Sequence, residues 1–148
     1  MGRVLVAGMF AFLLCGCGAL GSRVDDGEVN GYLLYEDSPR VEGIYFVQFV
    51  PEENGQITGW MHTSYPASNP GLPSVTFNTD QVQGTVDGEN ILIRVPDAAS
   101  YVNYPGTIEG DEMRLTRTVS GDLLTYEGEE ATLEDFGAAA QELAIEEE

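Results

Sequence analysis

The feature that most constrains the fold is an internal repeat. Gly84-Thr85-Val86-Asp87-Gly88-Glu89-Asn90-Ile91-Leu92-Ile93 is echoed 22 residues later by Gly106-Thr107-Ile108-Glu109-Gly110-Asp111-Glu112-Met113-Arg114-Leu115. Each copy reads as strand, acidic-glycine turn, strand. Gly88 and Gly110 supply the positive φ that a tight hairpin turn needs. Val86, Ile91 and Ile93 in the first copy match Ile108, Met113 and Leu115 in the second, and these are the residues expected to face inward. Two successive hairpins of this kind commit the region to an antiparallel sheet.

The flanking chain continues the pattern. Segments 28–36, 41–50, 56–63, 89–95, 103–109, 112–118 and 122–129 read as strands. Residues 74–87 form either one long strand bent near Thr79-Asp80 or two shorter ones. Segment 41–50 (VEGIYFVQFV) is apolar on both faces, which marks it as central and buried. After residue 130 the period changes. Thr132 is placed to cap a helix over 132–144, with Asp135 completing a weaker capping box. Leu133, Phe136, Ala140 and Leu143 share one face at helical spacing. The expected fold is all-β, an antiparallel barrel or rolled sheet of about eight strands with one C-terminal helix, in a single domain over 28–148.

The N-terminus carries an address. Met1-Gly2-Arg3 precedes an apolar run from Val4 to Leu14, and small residues follow. A short positive start, an apolar stretch and a small-residue cleavage region make an export signal. The run is shorter than the ~20 apolar residues a helical span requires. Leu14-Cys15-Gly16-Cys17 resembles the lipobox of bacterial lipoproteins. That resemblance implies removal of residues 1–16 and diacylglycerol on the Cys17 thiol. It also implies, in some bacteria, a palmitate-type acyl chain on the new amino group. Residues 17–27 then form a lipidated tether reaching ~35 Å when extended. The alternative is ordinary secretion with cleavage near Ala19 or Gly21.

Lipidation also settles the cysteines, because Cys15 leaves with the signal and Cys17 carries lipid. The folded part then has no thiol for a disulfide, a zinc site or a nucleophile. The expected location is the extracytoplasmic face of the cell membrane, reached through the lipid on Cys17.

The processed chain keeps Arg23, Arg40, Arg94, Arg114 and Arg117 against 25 acidic residues, with no lysine. Replacing counterions on phosphate needs clustered cations, so nucleic acid is not an expected partner. An anionic lipid surface would likewise repel the domain, leaving the tether as its attachment. Asp87, Glu89, Glu109 and Asp111 flank the two repeat turns. One acidic pair per turn is too few ligands for calcium, so they read as solvated turn residues and no metal is expected.

The paired hairpins, together with the terminal Phe136–Leu143 stretch (FGAAAQEL), resemble small lipoproteins of high-GC Gram-positive bacteria. The resemblance implies a barrel-like β domain and transfers no catalytic residue. A lipocalin-type Gly-x-Trp is not found near the first strand, where Tyr32 and Leu33 follow Gly31.

Catalytic patterns are scarce. His62 is the single histidine. Ser64 is close to it in sequence, but there is no Gly-x-Ser-x-Gly elbow, phosphate loop or dinucleotide fingerprint. No cofactor and no catalytic residue are expected, and a hydrolase using His62 is the least favoured reading.

Binding is favoured over catalysis. In an up-and-down meander with 74–87 as one bent strand, links near 37–40, 64–73, 96–102 and 119–121 share one end; two strands there would send 64–73 and 96–102 to opposite ends. The two longest are 64–73 and 96–102, and loops at the end of a rigid scaffold commonly carry binding residues. Trp60, His62, Tyr65, Tyr101 and Tyr104 are the candidate lining of that mouth, for a small apolar ligand or a protein partner. Alternatively, Trp60 and the tyrosines plug the core. A purely structural role in the envelope is the other non-enzymatic reading.

Overall fold

The computed structural model describes residues 29–37, 43–66 and 75–145. The expected export signal, lipid site at Cys17 and tether through Gly27 lie outside the described residues. Eight strands follow one another: β1 (Asn30–Asp37), β2 (Ile44–Pro51), β3 (Gln56–Pro66), β4 (Val75–Asp87), β5 (Asn90–Asp97), β6 (Ser100–Glu109), β7 (Glu112–Val119) and β8 (Asp122–Glu130). Each pairs antiparallel with the next, and β8 returns to β1 to close a barrel. The expected fold class is observed. Of the two readings of 74–87, the single long strand is the one found.

The repeat performs two tasks. Gly88 and Gly110 turn the chain with φ of 59° and 69°. Gly84 and Gly106 act in mid-strand. A Cβ on Gly84 would land on the Leu92 carbonyl oxygen, and one on Gly106 on that of Arg114. Only glycine allows such close approach between neighbouring strands, and glycine at bends is how a sheet curls tightly enough to close.

An eight-stranded barrel has an interior just wide enough to be filled by side chains. Here Tyr32, Leu34, Val47, Phe49, Ile57, Met61, Ile93, Ile108, Met113 and Leu115 fill it, each at most 2% exposed. The inward residues expected from the repeat are in this core, apart from Val86, which is partly buried at its edge.

The helix α1 (Leu133–Ile145) lies on the outside of the barrel. Its start is capped as the sequence indicates. The Thr132 hydroxyl and backbone N–H both donate to Asp135 Oδ2, at 2.6 and 2.7 Å, and Asp135 N–H donates to Thr132 Oγ1 at 3.3 Å. Phe136, Ala140 and Leu143 are buried, and Phe136 and Leu143 pack with Ile44 and Phe46. This second core explains why β2 is apolar on both faces: one face lines the interior and the other receives the helix. Leu133 departs from expectation and is 50% exposed. Just before it, Ala131 N–H is still bonded to the Gly31 carbonyl at the start of β1, so the first helical turn lies at the barrel's rim with little wall beneath it.

Candidate functional site

Strand direction gives the barrel two distinct ends. The links 52–55, 88–89 and 110–111 lie at the end where β1 begins. The turns at Ala98–Ala99 and Ser120–Gly121, the end of β3 and the start of β4 lie at the other. The strand ends that flank the first expected segment, 64–73, therefore lie at the same end as the second, 96–102. The second is not a loop: β5 runs to Asp97 and β6 starts at Ser100, joined by a two-residue turn with Ala98 at φ 43°. No glycine or asparagine marks that turn, which is why it reads as a long link in the sequence. Residues 67–74 of the other segment lie outside the described residues.

The five candidate mouth residues are not brought together. Tyr65 and Tyr104 point inward. Trp60 and His62 stand on the outer wall, because β3 turns Ile57, Met61 and Thr63 inward and the intervening residues outward. Trp60 is 45% exposed. His62 lies under α1, its ring 6.0 Å from Phe46 and 6.1 Å from Phe136. Its Nδ1 is 3.0 Å from Thr79 Oγ1, while its Nε2 is buried without a partner. Ser64, on the same outer face, is fully buried, and its hydroxyl has no partner either. The surroundings of His62 are those of a helix-docking surface. Tyr101 is exposed on the outside of β6.

What gathers inside the far end is a cluster of which the sequence singled out Tyr65 and Tyr104 but not Tyr45 or Tyr126. Tyr45, Tyr65, Tyr104 and Tyr126 meet edge to face. Ring centroids are 4.7 Å apart for Tyr45–Tyr126 and 5.7 Å for both Tyr45–Tyr65 and Tyr104–Tyr126. The Tyr45 hydroxyl donates to Glu36 Oε2 at 2.9 Å and is hydrogen-bonded to the Tyr65 hydroxyl. A phenol has one proton. With that of Tyr45 directed to Glu36, the proton in the second bond comes from Tyr65. On the opposite side, Arg117 donates to the Tyr104 hydroxyl at 3.1 Å, with its guanidinium carbon 5.6 Å from the centre of the Tyr104 ring.

Burial sets the protonation of the cluster. It pushes all four tyrosine hydroxyls up, Tyr126 to about 12. Arg117 pulls Tyr104 part of the way back. All four are neutral hydrogen-bonding groups near pH 7.

The wall beside Arg117 is split. Pairing of β6 with β7 extends only from Gly106↔Leu115 to Glu109↔Glu112. Beyond it, residues 100–105 pair only with β5 and residues 116–119 only with β8. Pro105 stands where the ladder stops. It has no N–H to offer β7, and its carbonyl instead accepts from the Thr116 hydroxyl at 3.1 Å. The split opens a notch of about 530 Å³, lined among others by Tyr101, Val102, Pro105, Thr116, Arg117 and Leu123. Tyr101 and Arg117 both line it, and Tyr104, the partner of Arg117, is buried in the core.

Arg117 was legible in principle. Met113 and Leu115 face inward, so the alternation carries Arg117 inward as well, whereas Arg114 points out. Arg114 forms an exposed ion pair with Glu127 at 2.9 Å, of the kind that contributes little stability. Among the described residues Arg117 has no carboxylate within ion-pair distance.

No protein-family model matches the chain, and no curated protein matches it.

Proposed function

We propose that the chain is an exported lipoprotein, anchored through Cys17 at the extracytoplasmic face of the membrane, whose barrel is a non-enzymatic binding module. The observation that carries this reading is directional. β1 begins at Asn30, close behind the lipid tether, so the end holding the tyrosine cluster and the β6–β7 notch is turned away from the anchor. Charge bears on the spacing from the membrane. Glu52, Glu53, Glu89, Glu109, Asp111 and Glu112 crowd the end nearest the tether. An anionic lipid surface repels such an end and keeps the barrel off the membrane.

Fractionation tests the reading. The wild-type chain should sediment with membranes and partition into detergent. Cys17→Ser should be soluble or retained as unprocessed precursor, while Cys15→Ser should behave as wild type. A Cys17→Ser chain that fractionates and is processed like wild type would overturn the assignment.

A further inference from the structure

We infer that the notch between β6 and β7 binds a small carboxylate, with Arg117 and the Tyr104 hydroxyl holding its head group. The inference rests on the binding-module reading above and names the ligand chemistry of that site. Four observations carry it.

The first is the arginine's isolation. In a chain with 25 acidic residues, a half-buried arginine with no carboxylate at ion-pair distance among the described residues has charge to spare. Its one hydrogen-bond partner among the described residues is the neutral Tyr104 hydroxyl, which takes one of its five N–H donors. The remaining donors sit in the planar fork that matches a carboxylate with two parallel hydrogen bonds.

The second is proton accounting. The Tyr45 proton goes to Glu36 and the Tyr65 proton to Tyr45. Tyr104 accepts from Arg117, and its own proton has no acceptor among the described residues. An anion that reaches the Arg117–Tyr104 bond would therefore meet both a guanidinium and a phenol donor.

The third is access. Arg117 lines the notch as well as touching the interior tyrosine. Because β6 and β7 separate beyond Gly106↔Leu115, a ligand can reach the guanidinium from the side without displacing the packed core.

The fourth is selectivity. The interior beneath the cluster is filled, which excludes a long acyl chain running down the barrel. The notch offers Tyr101, Pro105 and Leu123 for a short apolar body. Glu36 and Asp80 both act electrostatically on Tyr104 from within. A single guanidinium in so acidic a surrounding offers too little positive charge for a multiply charged ligand such as phosphate, and its planar fork matches a carboxylate. The shared chemistry is a carboxylate next to a small apolar group, found in a short branched-chain acid and in the free C-terminus of a peptide.

The test is a titration of the purified full chain at fixed ionic strength, followed through the Arg117 Nε–H resonance. The probes are isovalerate, N-acetyl-Gly-Leu, the amides of both, and inorganic phosphate. Saturable shifts are expected with at least one carboxylate and not with its amide or with phosphate. Isovalerate alone points to a free acid as the natural ligand, and the peptide alone to a chain terminus. Arg117→Gln should weaken binding at least about tenfold, and Tyr104→Phe by several-fold. Equal binding of acid and amide, unchanged affinity in Arg117→Gln, or no saturation by either carboxylate would overturn the inference. If Arg117→Gln does not fold, the acid–amide comparison on wild type and the Tyr104→Phe variant still decide it. A chain lipidated at Cys17 that binds no carboxylate sinks this inference alone. A chain that binds isovalerate but carries no lipid sinks the address and leaves the site standing.

Discussion

The rings of His62 and Phe136 lie 6.1 Å apart across the seam between the outer barrel wall and the C-terminal helix. Phe46 flanks the histidine from the barrel side. The one titrating side chain of the neutral range thus packs against two phenyl rings that also stack on each other, with an unpartnered Nε2. Burial lowers its pKa, since protonation would place a cation and a second N–H where no acceptor waits.

A pH dependence follows. A depressed pKa means the unfolded chain takes up the proton first. The contribution of His62 is fully present above its ordinary value of 6.5 and is lost as pH falls below that through the folded pKa. Denaturation midpoints should fall as the pH drops below about 6.5 in wild type. The fall should be smaller in His62→Phe, which leaves Thr79 unpaired but removes the titration. Identical pH profiles would show that His62 does not couple to folding.

Phe136→Ala should destabilise the whole barrel. Phe136 is 5% exposed and touches Phe46, His62 and Phe77. Phenylalanine truncation in a packed site costs about 3–5 kcal/mol, and the low end applies here because the helix lies on the outside of the barrel. Chemical denaturation measures the loss. An unchanged midpoint would mean that the helix contributes nothing to the fold.

Two glycine substitutions should act in opposite directions. Gly84→Ala forces a methyl group onto the Leu92 carbonyl, and spreading the strands should cost about 1–3 kcal/mol or more. Gly137 lies in α1, and a methyl group added there would meet only open space. Gly137→Ala should therefore stabilise by roughly 0.5–1 kcal/mol through helix propensity alone. Thermal melts of the two variants check both signs.

The tyrosine cluster makes the opposite pH prediction from His62. Its hydroxyls are raised above the ordinary value of 10.0, chiefly by burial. Above about pH 10 the unfolded chain releases these protons while the folded one keeps them, so stability falls as pH rises through that range. Tyr45→Phe should flatten the alkaline limb, at the expense of the bond to Glu36 at neutral pH. Denaturation followed from about pH 8 to about pH 11 measures this.

Much of the fold was legible in the sequence. The two hairpins are visible through Gly88 and Gly110, and the helix through Thr132 and Asp135, because turn and cap chemistry is local. The site was less legible. Alternation in β3 identifies two faces but not which is inside when a helix supplies an apolar cover to the outer one. Sequence alone therefore sends Trp60 and His62 to the mouth, while the inward set runs through Ile57, Met61 and Tyr65. Arg117 could be placed inside by its parity with Met113 and Leu115. Its lack of a carboxylate partner depends on where β1 and β4 bring Glu36 and Asp80, which only the closed barrel shows. The split at Pro105 was visible as a proline in a strand, yet its consequence depends on β7 lying beside it.

Whether this barrel works from a lipid anchor at Cys17 is read most directly by intact-mass spectrometry of the mature chain, taken from membranes of the producing bacterium. The expected product is a polypeptide starting at Cys17 and carrying diacylglycerol, with or without a further acyl group on its amino terminus. An unmodified polypeptide starting beyond Cys17, near Ala19 or Gly21, would contradict the anchor.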